Sequence, residues 1–161
     1  ALYTLHQTHG IEGNLSFRTR LGFIISGTEV PLDMLSPETV AEVTGVVYGL
    51  HKTSVYIKGQ VIPSRETILH SKIYEELPDV NAIFHVHDAL VMNKAERLGI
   101  QVTLTEQEAG SQELAQEAIN LLKFNKDIRY FVLKNHGIIA LGATIDEAGK
   151  LIEDVRRQAE K

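Results

Sequence analysis

No cysteine occurs anywhere in the 161 residues. That removes disulfide staples, thiolate nucleophiles and cysteine-ligated zinc sites from consideration. Long apolar runs are missing too: stretches such as Tyr130-Phe131-Val132-Leu133 fall far short of the roughly 20 residues a membrane-spanning helix needs. Nor is there an excess of basic residues, since 16 Lys and Arg face 21 Asp and Glu for a formal charge of −5. A mildly acidic surface attracts neither nucleic acid nor an acidic membrane, so neither is expected as a partner. The opening Ala1-Leu2-Tyr3-Thr4-Leu5-His6 has no basic stretch followed by an apolar one; it reads as the end of a helix, not as a secretory signal. With cysteine absent, a cytoplasmic location is expected.

What is present is ordinary for a globular protein: 43% hydrophobic and 23% charged residues. No repeat, low-complexity tract or linker divides the chain, so one domain over residues 1–161 is expected. The first half reads as strands: Asn14 to Arg18, Gly22 to Ser26 and Ser54 to Lys58, punctuated by glycines. A short helix interrupts them, with Ser36 as cap and Pro37 at its first position. From Pro63 helices dominate. One runs from a Ser64 cap to Leu77, where Pro78 stops it; others cover 88–98, Ser111 to Phe124 and Thr144 to Lys161. Asn81 to His87, Ile128 to Lys134 and Gly137 to Leu141 read as strands, the last two joined by a tight turn at Asn135-His136. Strands first and interleaved helices later imply an α/β domain with a mixed sheet covered by helices.

His85-Val86-His87 carries the sharpest chemical signal. Side chains at i and i+2 of a strand share a face about 7 Å apart along the backbone, so two imidazoles can converge on one ion. An isolated pair of this kind sits equally well on a polar sheet face. His136, in its turn, supplies a third ring, and three histidines without cysteine make an open nitrogen site suited to Zn²⁺ or a similar ion. Asp88 is placed either to orient a ligand or as a solvated helix-start residue. Glu66, where a helix dipole favours its charge, is a first-turn glutamate or a fourth ligand able to act as general base. His70, one helical turn on, reads as structural or as a support behind the metal-binding groups. The turns Gly13-Asn14-Leu15-Ser16 and Ser26-Gly27-Thr28, with Ser64, offer amides, hydroxyls and a carboxamide to an anion. Arg65 adds positive charge.

In this order and spacing, Gly13-Asn14-Leu15-Ser16, Ser26-Gly27, Ile62 to His70, Ala82 to His87 and Asn135-His136-Gly137 give a chain that resembles the class II aldolase/adducin family over nearly its whole length. The resemblance implies a three-layer α/β/α sandwich around a mixed, largely antiparallel sheet, and a homotetramer with sites near subunit interfaces. It implies Zn²⁺, or another divalent ion such as Mn²⁺ or Co²⁺, on His85, His87 and His136, with Glu66 as ligand or acid/base. It implies Asn14, Ser26, Gly27 and Ser64 around a substrate phosphate, with Arg65 standing where a second serine is common. Family aldolases and epimerases also use a tyrosine on a C-terminal tail, and no tyrosine follows Tyr130 here. Glu106 and Glu108 lie where some relatives carry a second acid/base group. The expected activity is reversible retro-aldol cleavage of a small sugar phosphate through a metal-stabilised enediolate. Epimerisation or dehydration on the same site, a non-catalytic adducin-like interaction module, and a metal hydrolase are the alternatives.

Overall fold

The structure is a computed structural model that describes residues 12–161; the helix expected at residues 1–6 lies outside them. Seven strands form one sheet: β1 (Gly13–Arg18), β2 (Phe23–Ser26), β3 (Val40–Tyr48), β4 (Thr53–Lys58), β5 (Ala82–Val86), β6 (Tyr130–Leu133) and β7 (Gly137–Gly142). Their order is β4-β3-β2-β1-β5-β7-β6, and every ladder is antiparallel. The parallel element is an isolated bridge between Val102 and Val132, which lays a loop along the outer side of β6. Four α-helices cover the sheet: α1 (Thr67–Glu76), α2 (Ala89–Asn93), α3 (Gln112–Phe124) and α4 (Ile145–Ala159).

Two-residue periodicity divides the core between the faces of the sheet. Ile83, Phe131, Leu133, Ile139 and Leu141 pack with α1 and α3 through Leu69, Ile73, Leu114 and Ala118. Their neighbours Ala82, Phe84, Val86, Val132, Ile138 and Ala140 pack with α2 and α4 through Val91, Ala148 and Ile152. This is the expected α/β/α sandwich. All five residues of β5 are buried because helices cover both its faces.

Several local expectations are corrected. The helix expected from Ser64 starts at Thr67, because residue 64 is already tied into the sheet: the Ser64 N–H donates to Ser26 O at 3.0 Å, and Thr67 Oγ1 donates back to Ser64 O at 2.7 Å. Ser36 does cap a helix, but it is a single 3₁₀ turn, Pro37–Thr39, closed by Thr39 Oγ1 accepting from Ser36 N. Residues 88–98 keep only five helical residues before Lys94 ends α2. Strand β3 was not anticipated, since a register shift between Val43 and Gly45 breaks its alternation.

Arg18 fastens the far end of α1 to the sheet. Its guanidinium donates to Tyr74 O at 3.1 Å, Leu77 O at 3.3 Å and Val80 O at 2.9 Å, and lies 4.6 Å from the Tyr74 ring centroid. These carbonyls belong to the last turn of α1 and to the loop that follows it, so one side chain ties both to β1. Charged hydrogen bonds contribute roughly 1.5–3 kcal/mol each before overlap, so Arg18→Met is expected to lower stability by about 2–3 kcal/mol in urea denaturation. A loss under about 0.5 kcal/mol would show that solvent serves these carbonyls equally well.

Candidate metal centre

Strand β5 carries His85 and stops one residue short of His87, through which it was expected to run, and the β6–β7 turn delivers His136. His85 shares its sheet face with Ile83, toward α1, and pairs with Asn14 on one side and Ile139 on the other. Asn135 adopts a left-handed conformation (φ 56°), which asparagine tolerates, and the His136 N–H closes the turn on Leu133 O at 3.0 Å. Gly137 is required by space: a Cβ there would stand 2.5 Å from His85 Cε1 and 3.0 Å from His87 Cδ2. Gly13 answers to a similar demand, since its Cβ would fall 2.0 Å from His85 O, at a φ of 141°.

The rings converge. Centroids of His85 lie 4.9 Å from those of both His87 and His136, and one ligand atom from each histidine falls within 4.8 Å of the others. Protonation follows from the partners. His85 Nδ1 meets Ile138 O at 3.1 Å and His87 Nδ1 meets Glu12 Oε2 at 3.2 Å. A carbonyl and a carboxylate can only accept, so both Nδ1 atoms carry the hydrogen, and Nε2 of each ring is turned inward as the atom left to bind a cation. Those two Nε2 atoms are 3.0 Å apart, and His85 Nε2 is 3.3 Å from Glu66 Oε2. Acceptors gathered this closely repel unless a positive centre lies among them, and a divalent cation fits that donor set. His85 is buried, His136 partly buried and His87 exposed, so the centre opens to solvent on the His87 side.

Glu66 sits at the cap position of α1 without bonding the helix, which leaves its carboxylate free for the site. His136 Nε2 lies 2.8 Å from Oε1 and the Asn14 amide donates to Oε2 at 3.0 Å. Burial alone would raise the Glu66 pKa, but attraction to His85, the His136 hydrogen bond and charge, and the Asn14 bond outweigh it and keep the carboxyl ionised well below the usual range. Burial pushes His85 down, further than the Glu66 charge raises it, so His85 is neutral at pH 7. His70 is fully buried and pushed down to about 3, mainly by desolvation.

The anion turns also come together. Gly27 bridges Pro63, Ser64 N–H reaches Ser26 O, and Asn14 lies beside Glu66. The amides of Gly27 and Ser64 are already bonded, to Thr39 O and Ser26 O, so these turns offer hydroxyl hydrogens from Ser26 and Ser64 in place of the amides expected there. Arg65 is exposed and leans on the next loop, donating to Ala109 O at 3.3 Å and facing Glu108 at 3.7 Å. Glu106 accepts from Asn135 Nδ2 at 2.9 Å, beside His136. Asp88 is neither solvated nor bonded to a histidine: it caps α2 and holds the Arg156 guanidinium at 2.8 and 2.9 Å. Sequence reasoning missed Glu12, whose only advance sign is its place beside Gly13-Asn14, and the contacts of Ser16 Oγ to His70 and to the Tyr74 hydroxyl.

An open sheet-borne set of three histidines and a carboxylate within an α/β/α sandwich defines a candidate divalent-metal protein. The model of the class II aldolase and adducin N-terminal domain matches residues 1–161, and the chain belongs to that family. It is 29% identical over 163 residues to an L-fuculose phosphate aldolase of Methanococcus maripaludis, covering 91% of this chain and 82% of that protein. It is 30% identical over 128 residues to human gamma-adducin, covering 66% of this chain and 18% of that protein. A sugar-phosphate aldolase structure from Thermotoga maritima superposes with a TM-score of 0.77 at 19% identity, covering 99% of this chain and 86% of that one. No helix among the described residues is long and apolar enough to cross a membrane.

The buried neutral histidines set an acid limit. In the unfolded chain they titrate near 6.5, whereas His70 and His85 resist protonation in the folded state. A folded pKa below the unfolded one means stability is complete above about pH 6.5 and is lost as pH falls. Between pH 7 and 5 the metal-free protein should lose about 3 kcal/mol in urea titrations, an order-of-magnitude figure for two such groups. A flat profile across that window would show that both rings accept protons while folded.

Proposed function

We infer that the chain is a divalent-metal-dependent lyase that reversibly cleaves a small ketose phosphate into dihydroxyacetone phosphate and an aldehyde. The observation that carries this is the pair of inward Nε2 lone pairs 3.0 Å apart, with both Nδ1 hydrogens committed outward and an ionised Glu66 alongside. Family membership and the aldolases among its relatives support the reaction class.

His85, His87 and His136 would hold the ion, Zn²⁺ being the first choice for imidazole nitrogen and Mn²⁺ or Co²⁺ alternatives. When bound, it supplies a Lewis acid opposite oxygens that gain negative charge as a bond beside a carbonyl breaks. Glu66 would carry the carbon-bound proton of dihydroxyacetone phosphate, delivering it to the carbon freed by cleavage and removing it ahead of condensation, its carboxylate steadied by Asn14. The hydroxyls of Ser26 and Ser64, the Asn14 amide and the Arg65 guanidinium are assigned to the substrate phosphate, with Gly27, its N–H committed to Thr39 O, lining the same pocket without a side chain to fill it. That grip directs remote binding energy into orientation at the reacting carbons. The unit is assigned as one domain in a cytoplasmic homotetramer.

Two experiments test this reading. Chelation should abolish cleavage of ketose 1-phosphates, and Zn²⁺, Mn²⁺ or Co²⁺ should restore it; a His85→Ala/His87→Ala double variant that retains activity would falsify the metal-centred mechanism. Product identity separates cleavage from epimerisation or dehydration. Glu66→Gln should slow deuterium exchange into dihydroxyacetone phosphate by about 10²–10⁴-fold, and an unchanged exchange rate removes Glu66 as the proton carrier. The match to human gamma-adducin favours a second reading, a non-catalytic interaction module; purified protein that cannot be loaded with any divalent ion would support it.

A further inference from the structure

Residues 14, 16 and 18 alternate onto one face of β1, and residues 66, 70 and 74 follow one another at single-turn intervals along α1 and the residue before it. They meet rung by rung. The Asn14 amide donates to Glu66 at 3.0 Å, Ser16 Oγ lies 2.6 Å from His70 Nδ1 and 2.8 Å from the Tyr74 hydroxyl, and Arg18 donates to Tyr74 O at 3.1 Å. Asn14, Ser16, Glu66, His70 and Tyr74 are all buried. A helix packed on a strand needs no such seam: apolar side chains of equal volume would hold it at least as well and leave nothing unpaired. The middle rung even carries a cost, since His70 Nε2 finds no hydrogen-bond partner among the described residues.

A directional seam does what apolar packing cannot, which is to forbid sliding. Asn14 is the ladder partner of His85, so the position of β1 relative to the histidine strand is set by the sheet. The position of Glu66 relative to β1 is set by the seam. We propose that the Ser16–His70–Tyr74 rung is a positioning device that fixes the axial register of α1 on β1 and thereby holds the Glu66 carboxylate against the three imidazoles. The inference rests on the metal-centre reading above. His70 is a positioning residue in it and touches neither ion nor substrate.

The test uses the full chain loaded with Co²⁺, whose visible absorption reports ligand number and geometry, together with competition measurements of affinity. His70→Leu removes the rung, and His70→Asn places an amide oxygen where Nδ1 stood and so keeps the bond to Ser16. Folding of each variant is verified by thermal melting and circular dichroism, and Ser16→Ala supplies a second, smaller disruption should His70→Leu not fold. In His70→Leu or Ser16→Ala the cobalt bands should shift and affinity fall about 10-fold, the range for partners that orient metal ligands. His70→Asn should restore both. In a Glu66→Gln background the same substitutions should have no further effect on affinity, because the group they position is gone. Folded variants with wild-type cobalt spectra, or losses that simply add to that of Glu66→Gln, overturn the proposal while leaving the metal centre standing. Failure of the unsubstituted protein to bind cobalt overturns the metal-centre reading and this inference with it.

Discussion

Two hydrogen atoms govern the geometry of the site, the ones on Nδ1 of His85 and His87. Each is held by a group that can only accept, a backbone carbonyl in one case and a carboxylate in the other. The opposite face of each ring is thereby left as a lone pair, and the strand aims the two lone pairs at one point. His85 could not turn away without surrendering its bond to Ile138 O inside a dry core, where an unmatched polar atom costs about 1–3 kcal/mol. Backbone pairing between β5 and β7 therefore does chemical work as well as structural work, because the carbonyl that orients His85 belongs to the neighbouring strand.

Glu66 completes the arrangement from a different layer. The histidines ride on the sheet and its turn, while the carboxylate stands at the head of a helix packed across one face. Against the penalty of burial, attraction to His85 once that ring takes a proton, with the hydrogen bonds of His136 and Asn14, keeps its carboxyl ionised far into the acid range. An anion held among three imidazoles on a partly exposed wall gives a polarised opening in an otherwise apolar sandwich, with its entrance beside His87.

Much of this was legible beforehand because it is local. The i, i+2 spacing of His85 and His87, the glycine after His136, and the helices that follow Ser111 and Thr144 each depend on a few neighbouring residues, and the structure places them close to where they were read. The misreadings share a different cause. Ser64 looks like a helix cap until its amide is seen paired to Ser26, and β3 hides behind a bulge that spoils its alternation. Asp88 looks like a residue for water or for a histidine until Arg156 arrives from α4. The partners of His87 and His70 were invisible for the same reason: Glu12, Ser16 and Tyr74 acquire their roles only when β1 lies between β2 and β5. Periodicity shows which face a residue occupies and says nothing of who stands opposite.

The strand order has a bearing on how the chain acquires this centre. Strand β5 lies between β1, which precedes it, and β7, which is made much later, and the contacts that join the site close loops of 52 residues between Asn14 and Glu66 and 75 between Glu12 and His87. Closures of that length are slow to form relative to helices and hairpins. During synthesis the amino-terminal meander can assemble while β5 still lacks one neighbour and His85 still lacks its carbonyl. Ion capture would then act as a late seal on a nearly finished molecule, with the binding energy appearing as resistance to unfolding of the whole sheet.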